Sequence, residues 1–309
     1  MSNKKDVRRK INAVANIMKV TKAMETMASI KYQKSSKLAG SARDYSNELY
    51  AFVSQLVRSL SPEVASGLKL CEAKKTGEVL FVIFNSDKGM CGSLNTQLLH
   101  KVVRAQAQEK KNGRKVRFIT VGKKGYDFLK RRDYEIISGY NSVPFSDRAD
   151  TARRLVNEMI DFFRKSSAEE VYLFYNHFVS STKSEISAIK LLPLVFEPEK
   201  KLDHIPVREM PLFSEVYPQT KFQLPAFAFE PDSGIFLEEV FIKYLETTVI
   251  QVILDSDASE NAARMIAMQQ ATKNAEDMIQ ALTVAYNKAR QSQITGDLIE
   301  ITSSAEALK

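Results

Sequence analysis

Apolar and small residues recur near the N-terminus at alternating steps of four and three: Val7, Ile11, Val14, Met18, Thr21, Ala28, Tyr32, Ser35, Ala39, Ala42, Ser46, Leu49, Val53, Leu56 and Leu60, with Glu25 the one departure. A 3.5-residue period held over so many turns predicts a coiled-coil seam on a long helix, narrower than the stripe of a globular helix. Pro62 closes it, and Gly40 inside it costs about 1 kcal/mol relative to Ala. The C-terminal part repeats the pattern at Met265, Met268, Thr272, Ala275, Ile279, Leu282, Tyr286 and Ala289. Between Gly234 and Gly296 there is no Gly or Pro. Roughly 60 residues at about 1.5 Å each predict a helix on the order of 90 Å long. Both seams are narrow and rich in small residues, which makes the two ends natural partners. Upstream, IFLEEVFIKYLETTVIQVIL (235–254) is apolar on more than one face, as expected of a helix that also passes against a domain.

Between these helices the period changes. VLFVIF (79–84), VRFITV (116–121), YEIIS (134–138) and VYLFYNHFV (171–179) read as strands, with helices predicted over SLNTQLLHKVVRAQAQEKK, KGYDFLKRR and DTARRLVNEMIDFFRKS. Such alternation predicts a mostly parallel sheet with helices on its faces, and SEISAIKLLPLVF offers a last, antiparallel strand. The proline-rich run over 197–233 has no clear period and reads as a linker or excursion. The expected layout is an N-terminal helix over 1–62, an α/β domain over 76–196, the excursion over 197–233 and a C-terminal helix over 234–309.

At 44% hydrophobic and 27% charged residues, 309 residues can bury a core, which excludes disorder throughout. Cys71 and Cys91 lack CxxC spacing, so no disulfide framework is expected and a reducing compartment is the default. His100, His177 and His204 lie far apart without metal-ligand spacing. The N-terminus lacks the apolar segment of a signal peptide, and no apolar run approaches the roughly 18 residues of a membrane span, so a soluble protein is expected. The net charge of +8 is unevenly placed, with Lys4, Lys5, Arg8, Arg9, Lys10, Lys19, Lys22, Lys31, Lys34 and Lys37 in the first forty residues. That basic stretch suits an acidic partner, or is simply a solvated face. No nucleic-acid-binding motif accompanies it.

The most site-like stretch is NSDKGMCGSLN (85–95), which follows the first strand and opens a helix, where α/β proteins bind phosphates on free amides. It matches neither GxGxxG nor GxxxxGK[ST], so a nucleotide site, a protein-contact turn and a plain structural turn all stay open. Cys91 has no histidine tied to it by motif, and the pairs Glu169/Glu170 and Glu238/Glu239 fall on predicted turns or helix faces. The Met-bearing seam, with Met265 and Met268, reads as packing. No catalytic constellation emerges, and neither a cofactor nor a metal is implied.

Three stretches then carry a resemblance: VRRKINAVANIMKVTKAMETMASIKYQKS, SDKGMCGSLN, and SENAARMIAMQQATKNAEDMIQALTVAYNKARQSQIT. The chain resembles the gamma subunits of bacterial-type F1Fo ATP synthases, the central rotor shafts of those complexes. The resemblance implies an α/β fold class in which a long antiparallel two-helix coiled coil from the N- and C-termini carries a Rossmann-like α/β domain at the membrane-proximal end. It implies a non-catalytic subunit without cofactor. Its partners would be three alpha and three beta subunits of F1, the epsilon subunit and the c-ring of Fo, and it would bind neither nucleic acid nor a small-molecule substrate. It implies a peripheral position on the cytoplasmic face of a bacterial membrane, held there through the complex.

The matching positions are, by the same resemblance, contacts with partners. Lys22 and Met24 would meet the acidic lever segments of the catalytic subunits, Arg290 and Gln291 an upper catch contact, and Arg264 the stator-side ring. Ser86, Asp87, Lys88 and Cys91, in the turn that runs to Asn95, would lie under that ring, and Leu298, Ile299 and Ile301 would turn in an apolar sleeve. Ser93 and Gly296 depart from the family pattern, and the 197–233 excursion lacks the cysteines of chloroplast regulatory inserts. Two other classes predict different behaviour: an α/β enzyme, or a nucleic-acid-binding protein, oligomerised through its terminal helices.

Overall fold

The computed structural model describes residues 4–59, 70–72, 77–165, 168–194 and 233–307. In chain order the elements are α1 (Lys4–Ser59), β1 (Glu78–Phe84), α2 (Leu94–Lys111), β2 (Lys115–Val121), α3 (Lys123–Lys130), β3 (Ile136–Tyr140), a short 3-10 turn (Phe145–Asp147), α4 (Arg148–Lys165), β4 (Ala168–Phe178), β5 (Ser184–Leu192) and α5 (Ser233–Ala307). Pro62 and nearly all of the proline-rich excursion fall outside the described residues. The chain divides into two compact units, one of Met1–Ile30 with Arg264–Lys309, the other of Lys31–Ala263.

In the first unit the seams read from the sequence are the covered faces. On α1, Val7, Thr21 and Ala28 are buried and Ile11, Val14, Met18 and Glu25 half-buried; on α5, Met268, Thr272 and Ala275 are buried and Met265, Ile279, Leu282, Tyr286 and Ala289 half-buried. Glu25 tolerates its seam position because Lys22 of the same helix neutralises it at 3.1 Å. Thr21 Oγ1 donates to the Met18 carbonyl (3.0 Å) and accepts from Thr272 Oγ1 (2.9 Å), so the polar atoms that small seam residues bring inside are paired. Beyond Ala289 every position from 290 to 304 is exposed, Ile294, Leu298, Ile299 and Ile301 among them.

The second unit is built on a five-stranded sheet in the order β3-β2-β1-β4-β5. The first four strands are parallel, and β5 runs antiparallel to β4 with Phe174 opposite Ala188. β1 is central and buried on both faces, which is why its sequence is a continuous apolar run without alternation. Val79, Phe81 and Ile83 face a layer formed by Leu98, Leu99 and Val102 of α2 and Leu129 of α3. Leu80, Val82 and Phe84 face the other layer, with Leu155, Met159 and Phe163 of α4, Val53 and Leu56 of α1, and Leu237, Phe241, Leu245, Val249 and Val252 of α5. This second layer explains the several apolar faces of 235–254: within this unit the helix lies in the core and buries more than one side. The third strand sits two residues later than the pattern placed it, at Ile136–Tyr140, because Tyr134 leaves the strand to pack edge-on against Phe118 (5.4 Å).

Candidate functional site

The turn after β1 is held by side chains, not by a ligand-ready cradle. Asn95, in the first turn of α2, reaches back across it. Its Oδ1 accepts from the Ser86 amide (3.1 Å) and from Asn85 Nδ2 (3.2 Å), and its Nδ2 donates to Ser86 Oγ (2.6 Å) and towards Cys91 Sγ (3.2 Å). Ser86 Oγ in turn donates to the Lys88 carbonyl at 2.6 Å. Asp87 Oδ1 accepts from the amides of Lys123 and Ser142 (3.0 and 2.9 Å), capping α3 with a carboxylate that complements the helix dipole. Gly122, at φ +106°, lets β2 approach so closely that a Cβ there would sit 1.9 Å from the Asn85 carbonyl oxygen.

The amide of Ser86 and the first amide of α3 are therefore occupied by Asn95 and Asp87. The cavity beside the turn, between Asn85 and Ser86 on one side and Ser256, Asp257 and Glu260 on the other, measures about 40 Å³. A space of that size takes a few waters and no nucleotide. Ser86 and Cys91 are buried, 3% and 2% exposed, so they shape the turn from within; Lys88, Met90 and Ser93 are the side chains it presents outward. Among the described residues no group of three or more His, Cys, Asp or Glu is arranged to hold a metal.

The second unit also contains a polar cluster that no local sequence pattern announces. Asp255 of α5, with a side chain 2% exposed, accepts from Arg43 Nη2 of α1 (3.0 Å) and Gln251 Nε2 (3.1 Å) and lies 2.7 Å from His177 Nδ1 of β4. Arg43 also donates to the Phe178 carbonyl at 2.9 Å. Asp257 pairs with Arg148 at the start of α4, and Ser259 Oγ donates to the Asn176 carbonyl (3.0 Å). Burial pushes the Asp257 carboxyl up to about 7; Arg148 opposes the rise, and Glu260 and Asp87 add to it. These residues are far apart in sequence, and only the finished fold brings them together.

The positions singled out on the helices fall in the first unit. Lys22 is exposed and paired with Glu25, Met24 is half-buried at the edge of the seam, Arg264 is half-buried, and Arg290 and Gln291 are exposed. They are spaced along the faces of α1 and α5.

Comparison with known proteins assigns this chain to a family. A family model described as ATP synthase matches residues 3–308. The ATP synthase gamma chain of Lawsonia intracellularis is 34% identical over 310 residues, spanning the whole of both chains. The chain belongs to the ATP synthase gamma chain family. A further gamma chain, from Geobacter metallireducens, is 32% identical over 309 residues and all of both chains. Two solved structures share the fold. One, from the Tetrahymena thermophila mitochondrial ATP synthase central stalk and c-ring, covers 82% of this chain and 99% of that one at 24% identity (TM-score 0.57). The other, from the Euglena gracilis mitochondrial ATP synthase rotor, covers 94% and 98% at 16% identity (TM-score 0.61).

Proposed function

We propose that this chain is the central shaft of a rotary ATP synthase, turning inside a ring of three alpha and three beta subunits and joined below to epsilon and the c-ring. The observation that carries the reading is the pair of long terminal helices with matching narrow seams. In the first unit Thr272 of α5 meets Thr21 of α1. The covered seam of α5 runs on past Thr272 to Ala289, and that of α1 runs back from Thr21 to Val7, which supports an antiparallel pair. Its small seam residues keep the rod thin enough to enter a ring.

An asymmetric rod cannot present the same face to three identical catalytic subunits. It therefore biases them into different conformations, and rotation exchanges their roles. Driving a site from mostly open to mostly closed takes about 5.5 kcal/mol of differential contact energy. Exposed charges such as Lys22 and Arg290 suit contacts that form and break each turn, since pairs at about 4 Å in water are worth roughly 1 kcal/mol. Lys88 and Met90 at the strand-end turn, and Leu298, Ile299 and Ile301 beyond the seam, are the further contact residues we assign. The chain contributes no catalytic group; chemistry belongs to the alpha and beta subunits. No helix among the described residues is long and apolar enough to cross a membrane, and the membrane position we infer comes through the complex.

Co-expression with alpha and beta subunits tests the reading: an ATPase-active hexamer that forms only when this chain is present supports it, and failure to co-purify overturns it. A chain that on its own turned over a substrate or bound ATP tightly would favour the enzyme alternative instead. Salt-dependent DNA or RNA binding at physiological ionic strength would favour the nucleic-acid one.

A further inference from the structure

Helix α5 carries two carboxylates two residues apart, and each is ion-paired with an arginine from a different element. At 3.6 residues per turn, positions 255 and 257 lie about 200° apart around the helix axis, so the two pairs grip nearly opposite sides of the helix. On one side Asp255 takes Arg43 of α1 on Oδ1 and His177 of β4 on Oδ2, and Arg43 ties on to the Phe178 carbonyl at the end of β4. On the other, Asp257 takes Arg148, the first residue of α4. Ser259 adds a bond to the Asn176 carbonyl of β4. The apolar stripe of Leu237, Phe241, Leu245, Val249 and Val252 sets which azimuth α5 turns to the sheet layer, but its non-directional contacts resist small rotations only weakly. Charge-assisted bonds to donors fixed on neighbouring elements resist them more strongly.

We propose that Asp255 and Asp257 are positioning residues that lock α5 azimuthally to the sheet of its unit, so that torque applied to the α/β part of the chain reaches the helix without slip. The inference rests on the shaft reading above and adds to it the residues at which rotation passes into the helix.

The Asp257 arm carries a pH signature. The charged groups that face it are Arg148 from α4, Glu260 from α5 itself and Asp87 from the turn after β1, while Lys34 of α1 lies over the Phe145 ring that Arg148 also covers (4.4 and 4.5 Å). Burial holds the Asp257 carboxyl near 7, so its bond to Arg148 is fully charged only above neutrality. The arm therefore tightens between pH 6 and 8.

The test uses the assembled complex, fixed through its catalytic hexamer, with a rotation probe on exposed Lys111 at the end of α2. Angular fluctuation of the probe during dwells is read together with the ATPase rate. Isosteric Asp255→Asn and Asp257→Asn each broaden the fluctuation. The double variant broadens it roughly twofold, and by more than the two singles together, because in each single the remaining arm still limits the rotation. ATPase rate stays near wild type. In Asp255→Asn the fluctuation narrows from pH 6 to 8, and in the double variant that dependence is lost. A double variant that fluctuates as wild type overturns the lock. Should the double variant fail to assemble, Arg148→Gln carries the test: intermediate broadening supports the lock and unchanged fluctuation overturns it. If the wild-type chain itself yields no rotating complex, the shaft reading fails and the lock with it.

Discussion

Replacing Asp255 by Ala removes the hub of a buried network while leaving its partners in place. The Arg43 side chain is 30% exposed and His177 11%, so neither can be fully rehydrated where it stands. Removing one partner of a buried pair costs about 3–5 kcal/mol, mostly through the charge left behind. Arg43 keeps its bond to the Phe178 carbonyl and some contact with water, which places the expected loss at the lower end, about 3 kcal/mol. Asp255→Asn retains an acceptor for Arg43 and loses only the charge assistance, about 1–2 kcal/mol. The assay is urea unfolding of the full chain followed by far-UV circular dichroism and tyrosine emission, since the sequence has no tryptophan. In a double-mutant cycle with Arg43→Ala the two losses should be strongly non-additive, with a coupling of about 1 kcal/mol or more. Asp255→Ala costing under about 1 kcal/mol, Ala and Asn costing the same, or a cycle that closes additively would each refute the reasoning.

Other variants probe other links. The Asp257 carboxyl is raised from 3.8 to about 7, so its contribution to stability is fully present below pH 3.8 and is lost as pH rises through 7. The difference corresponds to about 4 kcal/mol at most, nearer 2 with a fifth of the side chain exposed, so Asp257→Asn should be the more stable protein at pH 8 and lose that advantage by pH 4 in urea titrations. Gly40→Ala, on the open face of α1 with no atom within 4 Å of the added Cβ, should raise stability by about 0.5–1 kcal/mol, seen as a higher melting temperature. Gly122→Ala should instead break the contact between β2 and Asn85 and cost several times as much, about 2–4 kcal/mol, with new protease sensitivity near 85–95 as its signature. Met24→Lys, at the edge of the α1 seam, should reduce ion pumping per ATP hydrolysed more than hydrolysis itself; equal loss of both would contradict a contact role there.

The helices and strands were legible because their periods are clean. The 3.5-residue seam of Val7 to Leu56 is the covered face of α1, and the unbroken VLFVIF run is the central parallel strand. Tyr134 of the YEIIS run falls outside β3 with its ring against Phe118, a tertiary choice no local pattern encodes. The turn at 85–95 was recognisable as a turn. Its bracing by Asn95 and Asp87 was not, since Asn95 reaches back nine residues to the Ser86 amide and Asp87 bonds amides 36 and 55 residues further along the chain. The Arg43, His177 and Asp255 cluster was invisible for a different reason: its members are separated by more than a hundred residues on one side and nearly eighty on the other, and each alone reads as ordinary surface charge.

The most direct test of the shaft is rotation itself. With alpha and beta subunits supplied and the hexamer fixed to a surface, a probe attached to the α/β part of this chain should turn in one direction during ATP hydrolysis, in three equal steps per revolution set by the three beta subunits. A chain that co-purifies with the hexamer yet stays still while ATP is consumed would contradict the account.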